Sequence, residues 1–189
     1  MKAIKNFFFT AGLIAFVSMA GHSYADDIDA EDFVDEASAK GIAEVETGKL
    51  ALQKSTSPAV KAFAQQMIGD HTKANAELTA IAKSKNLKVA TEAELKNKAK
   101  AFILKQRDGE SFDEAYANNQ VMAHEEAIKL FNEGTKTDDA DINNFAKTTL
   151  PKLEHHLAMA KELATKTKTA NSNNSSRTVH SAASSHAHH

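Results

Sequence analysis

The chain predicts an all-helical domain, and three observations carry that prediction. Ala, Lys, Glu and Leu dominate from Ala30 to Lys168, proline occurs there only twice, and the two-residue alternation of strands is missing. Apolar residues instead recur three and four apart, the spacing that lays a stripe along one side of a helix.

The first helix is expected from Ala30 to about Lys54, with Phe33, Ala37, Gly41, Glu44, Gly48 and Leu52 on one face. Gly41 and Gly48 each weaken a helix by about 1 kcal/mol relative to alanine, which a close approach by a neighbouring helix would explain. Ser57-Pro58 reads as an N-cap followed by proline at the first helical position, where its missing N–H costs nothing. The second stripe is Val60, Ala64, Met67, His71, Ala74, Leu78 and Ile81, fading near Lys85-Asn86.

A third segment, Glu92 to Arg107, carries Leu95, Ala99, Phe102 and Ile103 on one side and ends at Asp108-Gly109. Ser111 and Glu114 have capping-box spacing, so another helix is expected from Ser111 to about Glu133. It turns Asp113, Tyr116, Gln120, His124, Ala127 and Phe131 inward. The two pieces form either one kinked arm or two helices at an angle. Gly134 ends them, and Asp138-Asp139-Ala140-Asp141 supplies negative charge at the start of the last helix, where the helix dipole favours it. Ile142, Phe145, Thr149, Leu153, His156, Ala160 and Leu163 line that helix, and Pro151 is expected to bend it just before His156. From Thr169 to His189 the composition is Ser, Asn, Thr, Ala and His, which predicts a disordered tail.

The N-terminus carries Lys2 and Lys5, then an apolar run from Phe7 to Ala20 that is short for a bilayer span. Gly21-His22-Ser23-Tyr24-Ala25 follows, with small residues at the two positions a signal peptidase reads. Residues 1–25 are therefore expected to be a cleaved signal peptide and residues 26–168 a helical bundle, periplasmic or secreted. No later stretch is apolar enough to span a membrane, and no cysteine follows the run to take a lipid anchor. Without Lys2 and Lys5 the chain has 21 basic and 25 acidic side chains, a formal charge of −4, which argues against a nucleic-acid partner. With no Cys, the domain must be held by its core alone, and with no Trp and two Tyr it offers little stacking surface for sugars or bases. No protein partner is indicated by these residues.

Four polar residues interrupt the apolar stripes, one per helix and each near its midpoint: Glu44, His71, His124 and His156. A buried imidazole or carboxylate needs a hydrogen bond, a charge partner or a metal, so the four define the candidate site. Three imidazoles and a carboxylate suit one divalent transition metal, Zn²⁺, Cu²⁺ or Ni²⁺. The metal-free alternative is a hydrogen-bonded network in which Glu44, Asp70 or Asp113 pairs with the histidines and Gln120; a protonation-sensitive or catalytic role is the third reading. His180, His186, His188 and His189 add a separate, loosely spaced set able to chelate Cu²⁺ or Ni²⁺ weakly.

The signal-like N-terminus, Glu44-Val45-Glu46-Thr47-Gly48-Lys49-Leu50-Ala51, Asp70-His71, Phe112-Asp113, His124 and Leu150-Pro151-Lys152-Leu153-Glu154-His155-His156-Leu157 occur in that order. Together they resemble the bacterial domain-of-unknown-function 4142 family over about residues 29 to 166. The resemblance implies an exported protein with a ferritin-like four-helix bundle, to which the extra or kinked segment is added. It also implies histidines at His71, His124 and His156; the Leu-Pro-x-Leu-x-x-His-Leu register selects His156 over His155, and helical periodicity agrees. A ferritin-like diiron centre would need Glu-x-x-His on two helices, and Val121 and Leu153 stand where those glutamates belong. Nothing in the chain supports an enzyme: there is no nucleophile motif, Gly-rich phosphate loop or Cys-x-x-Cys. The functional expectation is an exported bundle holding one divalent metal in a stress or metal-homeostasis role; the alternative is a metal-free structural or interaction protein of the cell envelope.

Overall fold

The computed structural model describes residues 28–184, with side chains from Ile28 to Ser172 except that of Leu95. The expected signal peptide and the side chains of His180, His186, His188 and His189 lie outside the described residues. Five helices and no strand make up the described chain: α1 (Ala30–Lys54), α2 (Pro58–Ser84), α3 (Leu95–Lys105), α4 (Gly109–Gly134) and α5 (Ala140–Ser184).

Side chains fix where α1, α2 and α5 begin. Asp29 Oδ1 accepts from Asp32 N at 2.8 Å, Ser57 Oγ from Val60 N at 3.4 Å, and Asp139 Oδ1 from Asp141 N and Ile142 N at 3.1 Å each. Each carboxylate or hydroxyl satisfies a donor that the first helical turn leaves unpaired. Short connections make two hairpins, α1 with α2 and α4 with α5, and contacts of α1 with α4 and α2 with α5 close the ring. The expected close approach at the glycines is present: a Cβ on Gly48 would sit 2.8 Å from Ile68 Cγ1, and one on Gly41 would overlap the Asn75 side chain.

Three expectations are corrected. Of the two arrangements left open between Glu92 and Glu133, two separate helices is the one present, and the second of them, α4, starts at Gly109, not at the expected Ser111. Gly109 takes φ +55°, allowing a sharp corner, and Lys54 Nζ pins it by bonding Lys105 O, Arg107 O and Asp108 Oδ1 at 2.7–2.8 Å. The face assigned to α3 is wrong: Phe102 and Ile103 are exposed, as is Ala99, while Leu104 is buried against the bundle. The helix packs chiefly on α1 and α4, and Leu104 is its buried side chain among those described. Finally, the chain from Thr169 to Ser184 is helical rather than irregular. The last helix runs through Pro151 and continues to Ser184, with Thr167 buried and Asn171 Nδ2 donating to Glu114 Oε2. A helix already docked extends at little cost because nucleation is behind it, and no Gly or Pro follows Pro151 to stop it.

Two apolar clusters fill the bundle. One contains Phe33, Leu78, Phe131, Ile142 and Phe145; the other contains Val60, Phe63, Met67, Phe112 and Tyr116. His71 lies between Met67 and Leu78 on α2, and His124 between Tyr116 and Phe131 on α4, so the histidines separate the clusters.

Candidate metal centre

The expected stripes of α2, α4 and α5 bring His71, His124 and His156 to one level, with ring centroids 5.4 to 5.6 Å apart. All three are buried, and one ring nitrogen from each lies within 4.8 Å of the other two. A point no more than about 2.8 Å from all three nitrogens therefore exists, and inward movement of under about 1 Å reaches the 2.0–2.1 Å of a metal–imidazole bond.

Hydrogen bonds set which nitrogens are free. His124 Nδ1 faces the Gln120 carbonyl at 2.9 Å, and His156 Nε2 faces Asp70 Oδ2 at 3.0 Å. A carbonyl and a carboxylate only accept, so both ring nitrogens donate and the lone pairs fall on His124 Nε2 and His156 Nδ1. Those two atoms and His71 Nε2 are buried without any hydrogen-bond partner. Three imidazoles thus present unused nitrogens inside the bundle.

The surroundings keep His71 and His156 neutral. Burial, reinforced by the neighbouring His124 and His156 rings, pushes His71 down to about 3. Burial likewise pushes His156 down to about 4, although its hydrogen bond to Asp70 works the other way. Asp70 is itself held below the usual carboxylate range: burial would raise it, but hydrogen bonds from Lys152 Nζ, at 2.9 Å, and His156 outweigh that. The Lys152–Asp70–His156 chain orients one imidazole from the outside, as a carboxylate hydrogen-bonded to the far nitrogen of a metal-binding histidine does.

Glu44 is not brought into the triad. It is buried and lines the cavity that His71 and His124 border, but its carboxylate stays outside the 4.8 Å grouping. Glu44 Oε2, Asp113 Oδ1, Tyr116 Oη and both side-chain polar atoms of Gln120 have no protein partner, so the envisaged network among these groups is not formed. Of the carboxylates considered for it, Asp70 alone pairs with a histidine. His155 is exposed, as its periodicity requires. Lys152, given no role from the sequence, is the group that sequence reasoning missed; the signal is its place four residues before His156, one helical turn away.

Fold and site define a helical bundle with a buried three-histidine centre. The profile described as "Domain of unknown function (DUF4142)" matches residues 17–163, and the chain belongs to that family. Among solved structures, it is similar to "CopM in the Cu(II)-bound form", with a TM-score of 0.62 at 15% identity, covering 74% of this chain and 97% of that one. At that identity the likeness is one of fold. Comparison with curated protein sequences gives no match.

Proposed function

We propose that this protein holds a single divalent transition metal between His71, His124 and His156, acting outside the inner membrane as a metal-homeostasis or stress protein. The observation that carries the reading is three buried imidazoles, each with a ring nitrogen within 4.8 Å of the other two and each keeping a buried nitrogen without a hydrogen-bond partner. Leaving such groups unsatisfied costs about 1–3 kcal/mol each, whereas a metal would use all three at once. Neutral imidazole suits Zn²⁺, Ni²⁺ and Cu²⁺, and Cu²⁺ heads the affinity order among them. The Cu(II)-bound bundle similar in fold supports copper as the first metal to test. The N-terminal pattern of Lys2, Lys5, the Phe7 to Ala20 run and Ala25 supports export to the periplasm.

The test is calorimetric titration of Zn²⁺ and Cu²⁺ into the full chain with His180, His186, His188 and His189 replaced by alanine. One equivalent should bind. His71→Ala, His124→Ala and His156→Ala should each abolish or strongly weaken binding, Asp70→Asn should weaken it about 10- to 100-fold through loss of orientation, and His155→Ala should leave it unchanged. Binding unaffected by all three inner substitutions would leave the metal-free structural reading in its place.

A further inference from the structure

We propose that the metal position in the histidine triad is coordinatively open, and that a small monoanion enters from the cavity bounded by Glu44, His71 and His124 to complete it. This deepens the metal reading above and rests on it.

Charge is the first ground. A divalent ion held by three neutral imidazoles brings two positive charges into a buried layer, and an uncompensated buried charge is costly. Asp70 supplies one negative charge through His156, but Lys152 at 2.9 Å offsets it. Glu44 supplies another in the cavity wall, which leaves one charge to be met. A monoanion meets it.

Space is the second. The triad provides three ligands, and a three-ligand site leaves a position for water or substrate. The cavity measures about 50 Å³ and borders His71 and His124, and none of His156, Asp70 and Lys152 lines it. At roughly 10–15 Å³ of such volume per water, it holds about three to five waters, or one ligand of a few heavy atoms. Glu44 Oε2, His71 Nε2 and His124 Nε2 are buried without partners on residues of its wall.

The approach is the third. The Lys40 and Lys100 side chains line the cavity and both reach Glu126, at 3.6 and 3.4 Å; Lys96 reaches the same carboxylate at 3.1 Å. Three ammonium groups gather around Glu126, with Glu36 as a further partner of Lys40 at 3.3 Å and Glu94 acting on Lys96, so charge balances there, and Lys40 and Lys100 offer an entering anion N–H donors at the cavity wall. Asn75 and Asn119 add amide donors to the wall, and Gly41 leaves the space that the Asn75 side chain fills.

Azide is a suitable probe, because binding to Cu(II) gives a charge-transfer band and alters the electron paramagnetic resonance spectrum. The chain with its four tail histidines replaced by alanine is loaded with one equivalent of Cu(II) and titrated with sodium azide. The expected result is a saturable one-to-one band. Ala123→Leu, which fills the cavity, should keep the copper content and lose at least about tenfold in azide affinity. Glu44→Gln removes a negative charge from the wall and should raise that affinity roughly tenfold or more. Copper binding with an azide response only in Glu44→Gln would overturn the proposal, since Glu44 would then occupy the fourth position. Copper binding without a response in either protein would overturn it too, as would undiminished azide binding in a folded Ala123→Leu variant. If that variant fails to fold, the wild-type and Glu44→Gln titrations decide alone. Failure to bind copper at the triad at all would instead remove the metal reading, an outcome seen before any azide is added.

Discussion

The apolar clusters and the histidine layer between them are built from the same helices, yet they act on stability with opposite sign. At one end Phe33 meets Phe131 edge-on at 5.2 Å and Phe131 meets Phe145 at 5.8 Å; at the other Phe112 and Tyr116 stack at 6.0 Å and Phe63 meets Tyr116 at 6.2 Å. Removing each such side chain from water contributes about 1.5–3 kcal/mol. Beside them, Glu44, His71, Asp113, Tyr116, Gln120, His124 and His156 all carry buried polar atoms with no protein partner. Apolar residues there would stabilise the bundle, so the difference locates the part of the molecule that the fold alone does not require.

The comparison breaks most visibly at the clusters. Phe145→Ala and Phe112→Ala should each destabilise by about 3–5 kcal/mol, and Leu78→Ala by about 2–5 kcal/mol, in urea melts of the metal-free protein. Shifts no larger than those of surface substitutions would mean that the clusters are not what holds the fold.

Acid sharpens the contrast. The folded-state values of His71 and His156, about 3 and about 4, lie below the unfolded reference of 6.5. Above pH 6.5 both states are neutral and stability is unaffected; as pH falls through that value the unfolded chain takes up protons that the folded one refuses. Stability is then lost progressively until the folded values are reached. Between pH 7.5 and 5.5 the two histidines should together remove about 2–3 kcal/mol, and a His71→Gln, His124→Gln, His156→Gln variant should lose correspondingly less. Equal losses in the two proteins would assign the acid sensitivity elsewhere.

A smaller effect, of the opposite sign, is expected at Tyr116. Its hydroxyl is buried without a partner, and burial together with Glu44 pushes its ionisation well above the ordinary value, so it stays a neutral phenol. Tyr116→Phe keeps the ring contacts and drops the unsatisfied group, so it should stabilise by up to about 1 kcal/mol. A loss above about 1 kcal/mol would show that the hydroxyl is satisfied in solution by ordered water. The smallest change belongs to α3: Phe102→Ser, at a side chain 64% exposed, should shift stability by no more than about 0.5 kcal/mol in the same melts.

How much the sequence disclosed follows the same division. The inward faces of α1, α2, α4 and α5 were legible because each repeats its apolar spacing over several turns, which fixes rotation about the helix axis. The same repetition turned Glu44, His71, His124 and His156 inward and His155 outward. In α3 the contiguous run Phe102-Ile103-Leu104 sweeps most of the helix circumference, so periodicity could not say which of the three meets the bundle. The continuation of α5 beyond Lys168 escaped a compositional reading, because propagation depends on the helix already docked before it.

By itself the sequence determined that the described chain is helical, where its long helices lie, and which polar side chains turn into the core. Only the tertiary structure decided which of those polar groups meet. Periodicity fixes the direction of a side chain around its helix, but the relative slide of two helices along their axes fixes the level, and that is a property of packing. The slide that aligns His71, His124 and His156 leaves Glu44 in the cavity wall, and sets Asp70 against Lys152 and His156 across 82 and 86 residues of chain.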